Sequence, residues 1–414
     1  MALNRPEWVE RINREGRMWA AADMLADMVP LDFDGLVAAA RRQTGLSDFG
    51  EADWVEPLEV LIGSLETEAE LNLMGRLITR SELIVWLANR LKITDLVRRH
   101  PEIREEVIDR PIFIAGLGRS GTSILQELLH QDPALRTPLF WETYYPVESA
   151  LSRGSDARAQ RLGDEMVTQW IRITPEMQAI HETAGHLPAE DASLVTFGLL
   201  TDVIPSFFNI PTYHRYLYRA DPDLFYRNHK LALQLLQWRR PGRRWFTKSA
   251  TWHLVNLETL FRHYPDARII HTHRDPLRIN ASVGNLLRTF YFQRSDKPFD
   301  APGFKALLDG SETARLLEGV IDLRQSGRVP ENQIVDSLYQ DLMDDPVAAL
   351  AKIYAAFDMA FDDAAARRIG EYLAFKPKHK HGVHRYATLS VEERAQKRPA
   401  LARYQRHYGV PDEL

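Results

Sequence analysis

Short apolar runs that lead into helical patterns recur through the second half of the chain. Residues 111–115 (PIFIA) are nearly all apolar, as in a buried parallel strand, and residues 124–130 then repeat apolar side chains at helical spacing. Similar strand patterns occupy residues 244–248, 267–272 and 333–336, and a helical pattern follows each of them. This alternation predicts an α/β fold in which a parallel sheet is flanked by helices.

Two connecting segments complete this part of the prediction. Residues 131–136 (QDPALR) indicate the end of a helix and a turn, and residues 277–287 indicate another helix. With these connections, the four strand patterns described above are the strands that we predict.

The first part of the chain has a different pattern. Residues 1–105 look helical throughout, and within them Asp32 is placed to cap a helix and Gly45 to end it. We therefore expect a helical N-terminal arm or cap over 1–105 and an α/β domain over 106–414, with a helical insertion at about 140–240. The arm could cover the domain, form a homo-oligomer contact or line part of a substrate pocket.

The composition limits the kind of protein. The 414 residues include 52 Lys and Arg and 57 Asp and Glu, which gives a formal charge of −5, and they include no cysteine. This charge balance argues against general nucleic-acid binding, and a chain without cysteine forms no disulfides or thiolate metal sites. The charged N-terminus and the lack of an 18-residue apolar run predict neither a signal peptide nor a transmembrane helix. We expect a soluble cytoplasmic enzyme.

A glycine-rich loop follows the first strand pattern. Residues 116–123 are GLGRSGTS, with a cation at Arg119 and three hydroxyl side chains. Between a strand and a helix such a loop forms an anion cradle, because its amides and the helix N-terminus face the anion. It departs from the consensus GxxxxGK[ST], since Thr122 stands where a lysine should reach the phosphates of ATP. The loop predicts a P-loop-like fold in which ordinary ATP hydrolysis is disfavoured.

Three predicted strands each end in a cation. Arg119, Lys248 and Arg274 follow the first, second and third strand patterns. Because the carboxyl ends of parallel strands meet at one edge of a sheet, the three suggest one ligand with several anionic groups. The alternative is that Arg274 pairs with its neighbour Asp275 and that Lys248 is an ordinary surface lysine.

The predicted insertion contains two histidines whose spacing can be compared with that of a zinc-binding motif. His181 and His186 are five residues apart, whereas HExxH places two histidines four apart on a helix, and Pro188 follows at once. We predict no metal site there.

Several segments resemble motifs of the sulfotransferases that use 3′-phosphoadenosine-5′-phosphosulfate (PAPS). The loop is similar to their 5′-phosphosulfate loop, and Lys248-Ser249-Ala250 resembles their Lys-Ser-Pro or Lys-Thr-His segment. Residues 272–276 with Ser282 resemble their 3′-phosphate segment, and Tyr339-Gln340-Asp341-Leu342 their Tyr-Glu-Asp-Leu stretch. Residues 380–386 and the N-terminal helices resemble those of bacterial members, so the likeness covers most of the chain.

The resemblance implies metal-independent, in-line transfer of a sulfuryl group from PAPS to a hydroxyl or amine of a small molecule. Arg119 and Lys248 would stabilise the charge of the transferred and leaving groups. Arg274 and Ser282 would hold the 3′-phosphate. The donor-binding residues that it implies are Gly118, Arg119, Ser120, Gly121, Thr122, Ser123, Arg274, Ser282 and Tyr339.

The catalytic base is open at this point. Cytosolic members use a histidine where this chain has Ala250, while the branch that modifies protein tyrosines uses a glutamate from a segment that matches Glu142. We predict that Glu142 is the base, with His181 and His253 as rivals. Otherwise Glu142 forms a salt bridge that orients Arg119 or Lys248.

Two other functions remain as alternatives. A P-loop kinase or NTPase would turn over ATP with magnesium, and a non-catalytic nucleotide-binding scaffold would bind the bisphosphate without transferring any group.

Overall fold

The structure is a computed structural model that describes residues 3–240, 242–299, 311–376 and 389–414. The chain forms two compact units. The first consists of Met1–Val107, Leu139–Pro241 and Leu286–Gly303, and the second of Ile108–Pro138, Gly242–Asn285 and Phe304–Leu414. The division of the sequence at residue 105 stays a prediction.

A five-stranded sheet forms the centre of the second unit. Its strands are β1 (Ile112–Gly116), β2 (Leu135–Arg136), β3 (Arg244–Lys248), β4 (Arg268–His273) and β5 (Ile334–Leu338). Their order is β2-β3-β1-β4-β5, and every neighbouring pair is parallel. The predicted parallel sheet with flanking helices, a P-loop-like α/β fold, is confirmed.

The register of this sheet places the carboxyl ends of its two other central strands, β3 and β4, within about two residues of the end of β1. Ile114 of β1 lies opposite Lys248 of β3, and Gly116 lies opposite Thr272 of β4. The predicted strand-end cations therefore follow neighbouring strands, because β3, β1 and β4 are adjacent.

Apolar side chains from the sheet and its helices form the core of the second unit. Ile114, Phe246 and Ile270 project from the three central strands and are fully buried. They belong to one cluster with Leu125 of the helix after the loop and Leu350 of a later helix. The helices of this unit are Thr122–Leu129, Ala250–Val255, Leu257–His263, Pro276–Arg294 (whose last residues belong to the first unit), Ser311–Gln325, Tyr339–Asp344, Pro346–Ala356, Asp363–Phe375, Val391–Lys397 and Ala402–Tyr408.

The strand β2 was predicted as a turn. It has two residues, too few for a period-two pattern to be visible in the sequence. Leu135 pairs with Arg244 of β3, and the backbone N–H of Arg244 donates to the carbonyl of Ala134 at 3.1 Å. The Arg136 guanidinium lies over the ring of Trp245, 4.4 Å from its centre. These tertiary contacts, rather than a local preference, make the segment a strand.

The first unit is built mainly from helices. Its longest described helix is Leu73–Arg99. Asn72 caps the N-terminus of this helix, because its side chain accepts a hydrogen bond from the backbone N–H of Gly75 at 2.8 Å. The remaining helices are Glu7–Ala21, Leu25–Met28, Phe33–Thr44, Val55–Thr67, Phe140–Tyr144, Pro146–Leu151, Ala157–Ile173, Met177–Ile180, Asp191–Leu194, Ile204–Phe207, Pro211–Leu217 and Asp223–Gln237. The predicted cap and stop of the helix Phe33–Thr44 are present, because Asp32 accepts from Gly35 and Gly45 is left-handed.

The helix Pro276–Arg294 is longer than the predicted 277–287. Phe290 and Tyr291 are buried, and the carbonyl of Arg294 accepts from the backbone N–H of Asn72 at 2.9 Å. Burial of these side chains favours helix beyond Leu287, where the polar pattern of the sequence suggested an end. Of the helices that the structure describes, none is long and apolar enough to cross a membrane.

Candidate functional site

The glycine-rich loop connects β1 to the helix Thr122–Leu129 and depends on two glycines. Gly116 has φ +152° and Gly121 has φ +95°, a range that disfavours other residues. A Cβ on Gly116 would lie 2.2 Å from Oγ1 of Thr272, and one on Gly121 would lie 2.7 Å from the ring of Tyr339. Close approach to neighbouring elements, as well as backbone conformation, therefore requires glycine at both positions.

Arg119 also has a left-handed backbone. Its φ is +70°, which is unfavourable for a residue with a side chain. Strained backbone of this kind is frequent at ligand sites, where the surrounding structure holds it in place. Gly121, which has no side chain that could cap the next helix, leaves the first-turn amides of that helix suited to an anion.

The hydroxyl of Ser120 fixes the loop to the sheet. It donates to the carbonyl of Leu117 at 2.6 Å and lies 2.6 Å from Oγ1 of Thr272 on β4. Ser120 and Thr122 are both buried. On the other side, the backbone N–H of Gly118 donates to Oγ1 of Thr251 at 3.3 Å. These bonds set the shape of the loop.

Lys248 reaches the loop from the end of β3. Its Nζ donates to Oγ of Ser123 at 3.1 Å, and its side chain is only 2 % exposed. A surface lysine would not be buried in this way, so the simpler alternative for Lys248 is wrong. The ammonium group lies where the loop and the first helix turn meet.

Arg119 is hydrogen-bonded both to Ser282 and to Arg274. Nε of Arg119 donates to Oγ of Ser282 at 3.1 Å, and Nη1 of Arg274 donates to the carbonyl of Arg119 at 3.2 Å. Arg119 was predicted to bind the 5′-phosphosulfate, and Arg274 and Ser282 were predicted to bind the 3′-phosphate. The structure thus brings the two predicted binding sites together within the second unit.

Arg274 has contacts that the sequence did not predict. Its guanidinium lies over the ring of Tyr339, 3.8 Å from the centre, and forms a salt bridge with Glu413 at 2.9 Å. Its neighbour Asp275 instead pairs with Arg398 at 2.7 Å, so the local Arg274–Asp275 pair considered above is wrong. Tyr339 contacts both Gly121 and Arg274 and so packs between the loop and β4.

Glu142 lies in the first unit, in the first turn of the helix Phe140–Tyr144. It is buried and accepts hydrogen bonds from Oγ of Ser149 at 2.7 Å, from Nη1 of Arg240 at 3.1 Å and from the backbone N–H of Leu139 at 3.1 Å. Glu142 thus forms a salt bridge with Arg240. Its role as catalytic base stays a prediction.

The rival bases occupy different surroundings. His253 is fully buried, with its ring 5.0 Å from that of Phe113 in an edge-on contact. His181 follows the short helix Met177–Ile180 of the first unit and is half-buried. Residues 380–386, which also resembled a family segment, lie outside the described residues.

A second polar cluster lies at β4 and β5. His271, His273 and Asp336 place one ligand atom each within 4.8 Å of one another, but Arg324 lies among them. Its Nη1 is 2.6 Å from Oδ1 of Asp336 and 3.0 Å from Nδ1 of His271, so this guanidinium supplies a cation to the cluster. No local sequence pattern predicts this contact, because Arg324 is 53 residues from His271.

The surroundings of both histidines in this cluster favour the neutral form. Nδ1 of His271 accepts from Arg324, and Nε2 of His273 donates to Asp336 at 2.8 Å. Burial, together with the neighbouring His273, holds the pKa of His271 well below its usual value, and burial also lowers the pKa of His273 despite its bond to Asp336.

Comparison with known proteins gives consistent matches. The model of a family described as the sulfotransferase family matches residues 111–363, more than half of the chain. Over 313 residues the chain is 26% identical to the omega-hydroxy-beta-dihydromenaquinone-9 sulfotransferase Stf3 of Mycobacterium bovis. The matched region covers 71% of this chain and 74% of that protein.

Two solved structures extend the likeness. The sulfotransferase STF1 from Mycobacterium tuberculosis has a TM-score of 0.71 and 28% identity and covers 88% of this chain and 98% of its own. The sulfotransferase STF9 from Mycobacterium avium has a TM-score of 0.75 and 26% identity, with coverage of 92% and 99%.

Proposed function

Because the chain belongs to the sulfotransferase family, we propose that it transfers a sulfuryl group from PAPS to a hydroxyl or amine of a small molecule. The observation that carries the proposal is the convergence of cations on one loop. Lys248, Arg119 and Arg274 follow three adjacent parallel strands, and hydrogen bonds join each of them to another residue assigned to the donor.

The second unit would bind the donor through its charge and its hydroxyls. The loop amides, Thr122 and Ser123 would hold the 5′-phosphosulfate, because a glycine-rich loop before a helix suits an anion. Ser282 and Arg274 would hold the 3′-phosphate, and the ring of Tyr339 fixes the plane of the Arg274 guanidinium.

Catalysis would rest on position and electrostatics. In-line displacement develops negative charge on the oxygen that links the sulfuryl group to the leaving bisphosphate. Lys248 is buried and already hydrogen-bonded to Ser123, so its charge acts with little competition from water. Arg119 would add a second cation, and no step is assigned to a metal.

A transfer assay tests the proposal. Sulfur-labelled PAPS is incubated with the full chain and a panel of hydroxylated and amine acceptors, including an omega-hydroxylated quinone because one relative is named for such a substrate. We expect label in an acceptor. Magnesium-dependent ATP turnover with ATP preferred over PAPS would favour a kinase or NTPase, and bisphosphate binding without transfer would favour a scaffold.

Glu142 is proposed as the base that removes the acceptor proton. Its carboxylate is buried and held by Ser149 and Arg240, which fixes its orientation. Glu142→Gln should lower single-turnover transfer at least about 100-fold, the usual contribution of a general base, while PAPS binding is retained.

The matched control for this variant is Glu148→Gln in the next helix, which removes the partner of Lys92. It should leave the transfer rate unchanged. If Glu142→Gln keeps the wild-type rate, Glu142 has a structural role and the base lies elsewhere.

A further inference from the structure

The side chain proposed to bind the 3′-phosphate is already bound to a carboxylate of the same unit. Nε of Arg274 lies 3.1 and 2.9 Å from the two carboxylate oxygens of Glu413, and Nη2 lies 2.9 Å from Oε2. This is a two-donor, charge-assisted arrangement, the same geometry with which arginine binds a phosphate. Glu413 therefore occupies one donor edge of the guanidinium.

The position of Glu413 does not depend on Arg274 alone. Its backbone N–H donates to Oδ2 of Asp275 at 3.0 Å. Arg398 joins Asp275, at 2.7 Å, to Asp412, at 2.5 Å. Since Asp275 is fully buried next to Arg274, these bonds hold the 412–414 segment at the end of β4 independently of the Glu413 carboxylate.

The Arg274–Glu413 pair is exposed enough for Arg274 to exchange the carboxylate for another anion. The side chains of Arg274 and Glu413 are 15% and 23% exposed, so water reaches both partners. Water can hydrate both charges when such a pair separates, so breaking it costs less than breaking an ion pair that is fully buried. A phosphate with more negative charge would bind the same donor edge and would be repelled by a carboxylate that stayed there.

We propose that Glu413 is an internal competitor for the 3′-phosphate of the nucleotide. Binding of that phosphate to Arg274 displaces the Glu413 carboxylate, while Tyr339 keeps the guanidinium plane in place. Glu413 therefore weakens the binding of both PAPS and the bisphosphate product, which favours product release. The inference rests on the proposed function, because it takes Arg274 as the 3′-phosphate ligand.

Calorimetric titration of the full chain tests it. Adenosine 3′,5′-bisphosphate and adenosine 5′-monophosphate are titrated into the wild type, Glu413→Gln and the control Glu371→Gln, an exposed residue of the helix Asp363–Phe375. Glu413→Gln should tighten the bisphosphate about tenfold, a change of about 1.4 kcal/mol, and leave the monophosphate unchanged. Glu371→Gln should change neither.

Other outcomes would overturn the inference. Weaker bisphosphate binding by Glu413→Gln would mean that Glu413 positions Arg274, and unchanged binding would mean that the two anions do not compete. Equal tightening of both nucleotides, or tightening by Glu371→Gln, would show a general charge effect. Glu413→Ala, which also removes the carboxylate, should reproduce the tightening if the Gln variant folds poorly.

One further variant separates this inference from the proposed function. Arg274→Ala should lose bisphosphate affinity but not monophosphate affinity. Equal affinities of wild type and Arg274→Ala for the bisphosphate would reject the Arg274 assignment itself, whatever Glu413 does.

Discussion

Two arginines, one in each unit, bind a carboxylate beside aromatic rings but differ in their access to water. Arg294 of the first unit is fully buried and forms two hydrogen bonds with Glu82, at 2.8 and 2.9 Å, with the rings of Phe207 and Phe208 at 4.7 and 5.1 Å. Arg274 of the second unit has a carboxylate partner that is 23% exposed.

The contrast separates a structural cation from one suited to a ligand. A sealed ion pair, meaning one in which both side chains are buried like Arg294 and Glu82, cannot exchange its carboxylate without leaving a buried charge uncompensated, which is costly. A pair that solvent reaches can exchange its carboxylate for another anion at small cost. Burial of the partner, rather than the identity of the residues, therefore distinguishes the two roles.

The largest effect is expected at the sealed pair. Glu82→Gln leaves the Arg294 charge buried without its counter-ion and should lower the free energy of unfolding by about 3–5 kcal/mol, measured by urea denaturation. Nucleotide affinities of the folded fraction should not change.

The matched control is Glu165→Gln, which breaks the exposed pair with Arg172 in the same unit and should leave the urea midpoint in place. A Glu82→Gln protein as stable as the wild type would show that the sealed pair is not structural, and the contrast would fail.

A large effect on rate, without a comparable effect on stability, is expected at Lys248. Lys248→Ala removes the charge that we propose to act on the transferred group and should slow single-turnover transfer on the order of 100-fold or more, about 2.7–4 kcal/mol, by analogy with oxyanion-hole donors. The control is Lys352→Ala, whose side chain is 75% exposed. If Lys248→Ala reduced stability and left the rate unchanged, Lys248 would be a structural cation like Arg294.

The parallel sheet and its loop could be predicted because their information is local. The apolar run of β1 and the glycines of the loop are adjacent in the sequence, and each strand-end cation lies within a few residues of its own strand pattern. Strand ends then meet through the general geometry of parallel sheets, which is why Arg119, Lys248 and Arg274 could be grouped in advance.

The partners of these cations could not be predicted in the same way. Glu413 is 139 residues from Arg274, and Glu82 is 212 residues from Arg294. Neither pair leaves a periodic pattern, because each depends on which distant segments pack together. The strand β2 was not predicted for a similar reason. Its pairing with β3, and not the pattern of its own two residues, makes the segment a strand.

A smaller effect, which depends on pH, is expected at the cluster of His271, His273 and Asp336 in the second unit. Burial lowers the pKa of His271 and His273 from the usual 6.5, so the unfolded chain takes up their protons first as the pH falls. The stabilisation is therefore complete above pH 6.5 and is lost below it, by up to about 1.4 kcal/mol per pH unit for each histidine.

The variant His271→Asn tests this origin of the pH dependence. Its side-chain oxygen can accept from Arg324 in place of Nδ1, but it cannot be protonated. Urea midpoints measured from pH 8 to pH 5 should fall less steeply than those of the wild type, even if the smaller side chain lowers stability at pH 8. An equally steep profile would place the proton uptake on other groups and leave the contacts of Arg324 with Asp336 and Glu331 insensitive to pH over this range. Because both carboxylates are more exposed than Glu413, Arg324 would then be closer in character to Arg274 than to Arg294.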